Sequence, residues 1–470
     1  MKRRDFLKNV GLIGAGAAMT DFTAFASPAS SPSPAEGKIP ELTGLNDGIR
    51  SLAPQLNGKT LTVAIVGCGN RGTVYESYFR NYRDKLKVVA ISDINPYRNK
   101  IMADRWNLPE NRRFGDYHEI LAAGKIADAM IIALPDALHY EPAMKAMALG
   151  YDVLLEKPLA QTGKECKSLL AQSHKYDRIL GTCHVLRYAP YFIALRNAVR
   201  QGLIGELISI QHLEPIECGH MCHSYVRGNW HNSKETTPII LAKSCHDLDI
   251  IRWIVGKPCK SVSAEGDLRF FKAENAPAGA TMRCTDGCPL EANCPYSAID
   301  AYVRRKIRLK VLDLDNSATE DQILEKLKVM DYGRCVFHCD NDQPDHYIAN
   351  LTFEGGVTAA FSMEAFTPWG GRRTRIMGSK GFIEGDGTSF YLWDFKTRKK
   401  SRWYMSVEEI PEYKGAGHGG GDYALARDFV EAVAAHDSSK LTSTIEASVE
   451  SHMMGFNCEK SRLKGVKVKM

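Results

Sequence analysis

The chain has 470 residues, 44% of them hydrophobic and 25% charged, with a formal net charge of +6. This balance excludes a disordered chain and supplies core for two or three globular domains. It also speaks against a nucleic-acid partner, because the basic runs Lys396–Arg402 and Lys460–Lys469 carry no interleaved aromatic patch and read as solvated surface.

The first residues read as an export signal. Lys2-Arg3-Arg4-Asp5-Phe6-Leu7-Lys8 is a basic start, Val10–Met19 a short apolar run, and Ala24-Phe25-Ala26 a small-residue cleavage site. The paired arginines resemble a twin-arginine signal, so residues 1–26 are expected to direct the protein to the periplasm or another exported location. No apolar run is long enough for stable membrane insertion. Thirteen scattered cysteines, one of them Cys68 in a glycine loop, argue against a disulfide framework. Residues 27–58 begin Ser27-Pro28-Ala29-Ser30-Ser31-Pro32 and read as a linker.

From Lys59 strands and helices alternate, which predicts a parallel sheet wound on both faces over residues 59–187. Its first strand, Leu61–Val66, runs into Gly67-Cys68-Gly69-Asn70-Arg71-Gly72, and Asp93 closes the next strand. This is a dinucleotide-binding fingerprint: glycines permit the turn and the approach of a pyrophosphate, and the acid accepts ribose hydroxyls. NAD is the expected cofactor, with NADP kept as an alternative by Arg98. After Tyr188, long strand-like stretches joined by glycine turns, such as Tyr347–Phe353 and Val357–Met363, predict an α+β domain over residues 188–470 with a large, mainly antiparallel open-faced sheet.

Ala133-Leu134-Pro135-Asp136, His139 and Glu156-Lys157-Pro158 follow the fingerprint in order. With the glycine loop and the predicted second sheet, they resemble the Gfo/Idh/MocA oxidoreductase family. The resemblance implies that Lys157 lies beside the nicotinamide and the reacting hydroxyl, that Pro135, His139 and Glu156 line the cofactor cleft, and that Arg187-Tyr188 lie near cofactor and substrate. It also implies that His246 is the general acid/base and that Asp249 matches an acidic position three residues on. A histidine suits proton transfer because its ordinary pKa lies near working pH. One departure stands out. Many family dehydrogenases have an aspartate four residues before that histidine, where this chain has Ala242 and, next to it, Lys243. Lys243, if desolvated beside Lys157, is expected to have a lowered pKa and to share in proton transfer or sugar-hydroxyl binding.

Cys218–His231 mixes polar and aromatic groups as sugar sites do, and His223, Tyr225, Arg227 and Trp230 are candidate substrate contacts. His418, on a glycine run before a helix with Asp422 as its expected N-cap, could close over the substrate. Cys284-x3-Cys288-x5-Cys294 and Cys335-x2-His338-Cys339 invite a metal, with Cys218, Cys222 and His220 as rival ligands, but neither spacing is the paired kind and no metal is assigned.

The expected activity is nicotinamide-dependent oxidation of a sugar or glycoside hydroxyl, with a tightly bound cofactor recycled within the cycle. An NAD-dependent glycoside hydrolase working through a transient 3-keto intermediate is the alternative. A non-catalytic NAD- and carbohydrate-binding protein is the second. The resemblance further implies a homo-oligomer, dimer or tetramer, packed through the open sheet.

Overall fold

In the computed structural model the described residues are 39–405, 411–413 and 416–470, and those from Pro40 form one compact unit. The export signal and the Ser/Pro-rich stretch after it lie outside the described residues.

The first sheet is built from β1 (Leu61–Val66), β2 (Leu86–Ser92), β3 (Arg113–Phe114), β4 (Ala129–Ile132), β5 (Asp152–Leu155) and β6 (Leu180–Thr182). They run in the order β3-β2-β1-β4-β5-β6, and every pairing is parallel. β4 and β5 are buried throughout, as strands covered on both faces must be. The strand order reverses between β1 and β4, which opens a crevice at the carboxyl ends of these strands, the ligand position of such folds.

The second sheet comprises β7 (Leu207–Pro215), β8 (Cys259–Asp267), β9 (His346–Phe353), β10 (Thr358–Glu364), β11 (Arg373–Gly378), β12 (Gly381–Gly385), β13 (Ser389–Asp394), β14 (Lys400–Tyr404) and β15 (Val468–Lys469). The order is β14-β13-β12-β11-β7-β10-β9-β8-β15, antiparallel except where β7 meets β10. In β9, Tyr347, Ala349, Leu351 and Phe353 enter the core while Ile348 stays 48% exposed, so one face packs and the other is open.

The expected linker needs correction from residue 40 onward. Leu45, Leu52 and Leu56 are buried, Leu42 bonds to the Arg402 carbonyl, and Arg50 pairs with Asp428 and Glu431. Early Ser/Pro composition hid three buried leucines. Between β8 and β9 lies an insertion, residues 268–345, with its own apolar core around Tyr302, Leu309, Leu312, Ile323 and Leu327.

Candidate active site

The glycine loop shows why each glycine stands where it does. Gly67 has φ +94°, and a Cβ there would lie 2.4 Å from the Ala133 carbonyl oxygen, while one on Gly72 would lie 1.9 Å from the Gly67 oxygen. Gly69 is different: its Cβ would meet nothing nearer than an Arg98 nitrogen at 3.9 Å. Packing does not require that glycine, whereas a pyrophosphate approaching the backbone does. Helix α1 (Asn70–Asn81) begins there without a side-chain cap, leaving its first amides to an anion. Asp93 accepts the Cys68 amide at 2.6 Å and the Asn95 amide at 2.8 Å, which fixes its carboxylate at the end of β2, where ribose hydroxyls would sit. The cradle fits NAD.

The insertion reaches this edge of the cleft. Asp313 accepts from Arg98 Nε at 2.9 Å and from Asn95 Nδ2 at 2.8 Å. The cation that would meet the extra phosphate of NADP is therefore already paired, which favours NAD. Asp313→Ala is expected to shift the ratio of kcat/KM values about tenfold toward NADP, the scale of one charged hydrogen bond. Side-by-side steady-state assays with both cofactors check it.

Several expected cofactor contacts prove to hold the cleft's frame instead. Arg71 binds Glu156 Oε1 at 2.6 Å and Asp422 Oδ1 at 2.7 Å, and Tyr75 donates to the same Glu156 oxygen. Both ring nitrogens of His139 lie 2.7 Å from carbonyl oxygens, of Leu134 and Pro158, so His139 joins the Pro135 loop to the Lys157 turn. Pro135 itself is exposed at the carboxyl end of β4. Arg187 forms a two-pronged pair with Asp249, at 2.6 and 2.7 Å, and caps the Thr442 carbonyl. Since Arg187 is 4% and Asp249 1% exposed, neither is free to contact cofactor or substrate as expected. Asp422 caps no helix: the helix Gly421–Ala435 starts one residue earlier, and its carboxylate serves Arg71 and His418.

The candidate catalytic groups gather where β5 ends. Lys157 Nζ donates to the Ala242 carbonyl at 2.5 Å. Where a family aspartate would present a carboxylate, this chain offers the Lys157 ammonium a neutral backbone acceptor. His246, in the first turn of the helix Cys245–Val255, is 6% exposed and its Nδ1 has no partner among the described residues. Burial, then the Lys157 cation and His418, hold this imidazole well below its usual range, so it is neutral at pH 7. The His418 ring lies 6.0 Å away by centroid and its Nδ1 3.0 Å from Asp422 Oδ2. Lys243 is lowered by burial, as expected, but its partner is Glu214 at 3.1 Å, within a network that Arg372 extends to Asp247.

The expected sugar contacts mostly serve other ends. Trp230 Nε1 donates to Asp136, which also takes the Thr237 hydroxyl, so these groups join the Pro135 loop to the second domain. Tyr225 is 4% exposed. Arg227 is buried and donates to the carbonyls of Arg334 and Tyr296, so it anchors the insertion. His223 bonds Tyr302 of the insertion at 2.6 Å and is pushed down to about 3 by burial and the Arg308 and Arg227 cations. His220, weighed above only as a metal ligand, is the residue this reading missed. Burial, then the Lys243 and Arg308 cations, hold its imidazole well below the usual range.

Comparison with known proteins decides the family. Residues 61–184 match the oxidoreductase family's NAD-binding Rossmann fold, and residues 196–470 match its C-terminal alpha/beta domain. The chain belongs to the Gfo/Idh/MocA oxidoreductase family. YteT of Bacillus subtilis (strain 168), named as an oxidoreductase, is 23% identical over 381 residues, covering 77% of this chain and 87% of that protein. Inositol 2-dehydrogenase of Burkholderia ambifaria is 27% identical over 203 residues, 42% of this chain and 55% of that enzyme. Levoglucosan dehydrogenase with NADH and levoglucosan superposes with a TM-score of 0.65 at 17% identity, covering 87% of this chain and 99% of that one. An oxidoreductase from Agrobacterium radiobacter with NAD+, L-tartaric acid and magnesium gives 0.62 at 16%, covering 87% of this chain and 98% of that one. At these identities the likeness establishes the fold.

Within this family member one histidine cluster resembles a metal site. Ligand atoms of His184, Cys245 and His452 all lie within 4.8 Å of one another. Yet His452 Nδ1 donates to the Ser448 carbonyl at 2.7 Å and Nε2 accepts the Leu159 amide at 3.0 Å, so both its nitrogens are engaged. His184 Nδ1 lies 3.0 Å from Asp249. The His184 ring lies 6.1 Å from that of His246 by centroid, so the cluster packs beside the candidate base.

Proposed function

We propose that this family member oxidises a ring hydroxyl of a sugar or glycoside with an NAD that stays bound through the cycle. The observation that carries the reading is the neutral, buried His246, with an unused ring nitrogen, beside the Lys157 ammonium. Lys157 spends one N–H on the Ala242 carbonyl and has two left to hold the reacting hydroxyl oxygen. His246 accepts the hydroxyl proton, and the lysine cation steadies the developing alkoxide. When bound, the nicotinamide supplies the two-electron acceptor for the hydrogen on the same carbon. Lys243, next along the chain from the Ala242 that Lys157 holds, keeps N–H groups beyond its Glu214 partner for further hydroxyls. Retention is supported by the Asp313 tie across the cofactor edge, and the hydride returns to a second sugar or to the same one.

A second reading, glycoside cleavage through a 3-keto intermediate, draws on Lys243. Elimination next to a carbonyl needs a base besides His246, and Lys243 is a buried amine with a lowered pKa. The proposal also includes export by residues 1–26 and a homo-oligomer packed through the open sheet face. No helix among the described residues is long and apolar enough to cross a membrane.

The test is purification with bound nicotinamide followed by a panel of sugars and aryl glycosides. Appearance of NADH absorbance on sugar addition supports the oxidoreductase. Release of the aryl group without net NADH supports the hydrolase. No change with any substrate sinks both and leaves a binding protein.

A further inference from the structure

The insertion holds a second constellation that the proposed reaction does not use. Cys284 and Cys335 flank the antiparallel Arg283–Arg334 bridge on either side, where the Cys284 amide bonds the Gly333 carbonyl at 3.0 Å and the Cys335 amide bonds the Met282 carbonyl at 2.9 Å. Cys294 neighbours both Cys284 and Cys288, and Cys335 neighbours Cys284 and Cys294. Three of the four open the same turn: the carbonyls of Cys288, Cys294 and Cys335 accept from Glu291, Ser297 and His338, each three residues on. In each turn the amide two residues on, Leu290, Tyr296 or Phe337, faces the cysteine's own sulfur. The Ala298 amide donates to Cys284 Sγ at 3.4 Å. Backbone amides thus converge on four sulfurs whose protons a bound metal would displace.

A separate observation supplies the charge. Arg227 is 4% exposed, donates to two carbonyls and to Cys284 Sγ at 3.9 Å, and meets no carboxylate among the described residues. A buried guanidinium without a counter-charge is costly. A metal held by four thiolates carries net negative charge and would provide one.

We propose that Cys284, Cys288, Cys294 and Cys335 form a four-thiolate centre for a thiophilic metal. A lone tetrahedral zinc needs sulfurs about 3.8 Å apart, given its Zn–S bonds of about 2.3 Å. Among the described residues these sulfurs do not form a group within 4.8 Å of one another. Four cysteines also hold an iron–sulfur cluster, around which the ligand sulfurs stand farther apart than around one zinc. Cys339 stays outside, its thiol donating to the Cys335 carbonyl at 3.2 Å. The centre pins the insertion that carries Asp313 to the cofactor edge.

The experiment measures iron, zinc, acid-labile sulfide and free thiols on the full chain purified without oxygen. About four irons with sulfide and a visible charge-transfer band are expected. About one zinc per chain also supports the four-thiolate site, the sulfurs then drawing in around a single ion. In either case four thiols should resist alkylation until a chelator or oxidant removes the metal, so the native protein alone can decide. Cys288→Ser and Cys294→Ser should each lower metal content severalfold. Substoichiometric metal after anaerobic purification and reconstitution, or disulfides among these four cysteines in the active protein, overturns the proposal.

Discussion

Replacing Lys157 by methionine should lower kcat about a thousandfold while NAD still binds, because the change removes the cation at the reacting hydroxyl and spares the glycine loop. Methionine matches the lysine stem, so packing at the end of β5 changes little. What is lost is the ammonium that donates to the Ala242 carbonyl and presses on His246. The pH profile separates this role from a structural one. Lys157 is the second cause, after burial, of the depressed His246 pKa, so the residual activity of Lys157→Met should show an acid limb displaced upward toward the ordinary histidine value. Turnover near the wild-type level, or an unmoved limb, would remove Lys157 from the reaction.

His246→Ala should cost between about a hundredfold and ten-thousandfold in kcat, the span of a positioned general base. Because native His246 binds its proton only well below pH 6.5, the wild-type rate should stay level from neutrality down past that point before it falls. The same depression acts on stability. Below about pH 6.5 the unfolded chain takes up protons that buried histidines refuse, so native stability declines as pH falls. His220, His223 and His452 share this behaviour with His246, and burial is the main cause that pushes His223 and His452 down to about 3. Melting curves at pH 7 and pH 5 should therefore show a smaller drop for His246→Ala than for wild type. An equal drop together with undiminished turnover would refute the assignment.

The Rossmann half was legible because local rules decide it: β1 appears with the bounds its alternation gives, and the three glycines are explained by backbone contacts and an open cradle. The pairing of Lys157 with His246, on which the proposed reaction rests, came from the resemblance. Arg71, Arg187, Arg227 and Trp230 were misread for one reason. A polar side chain near a cleft in sequence can turn to a buried partner that is remote along the chain, and no local pattern reveals Asp422, Asp249, the Tyr296 carbonyl or Asp136 as that partner. His220 was within reach, since it sits in the same polar run as His223. Glu214 and Arg372 were not, because their meeting depends on β7 and the approach to β11 lying side by side.

The segment from Pro40 to Gly58 sets the order of events in synthesis. Arg50 closes on Asp428 and Glu431, and Leu45 lies in a core shared with Met454 and Cys458. These partners leave the ribosome some four hundred residues after it. The earliest described segment must therefore wait, apolar side chains exposed, until nearly the whole chain is made, and such distant closure slows folding and invites misassociation. Assembly of the two halves is thus a late, post-translational event, and a nascent chain of this protein has reason to be guarded until its last helix arrives.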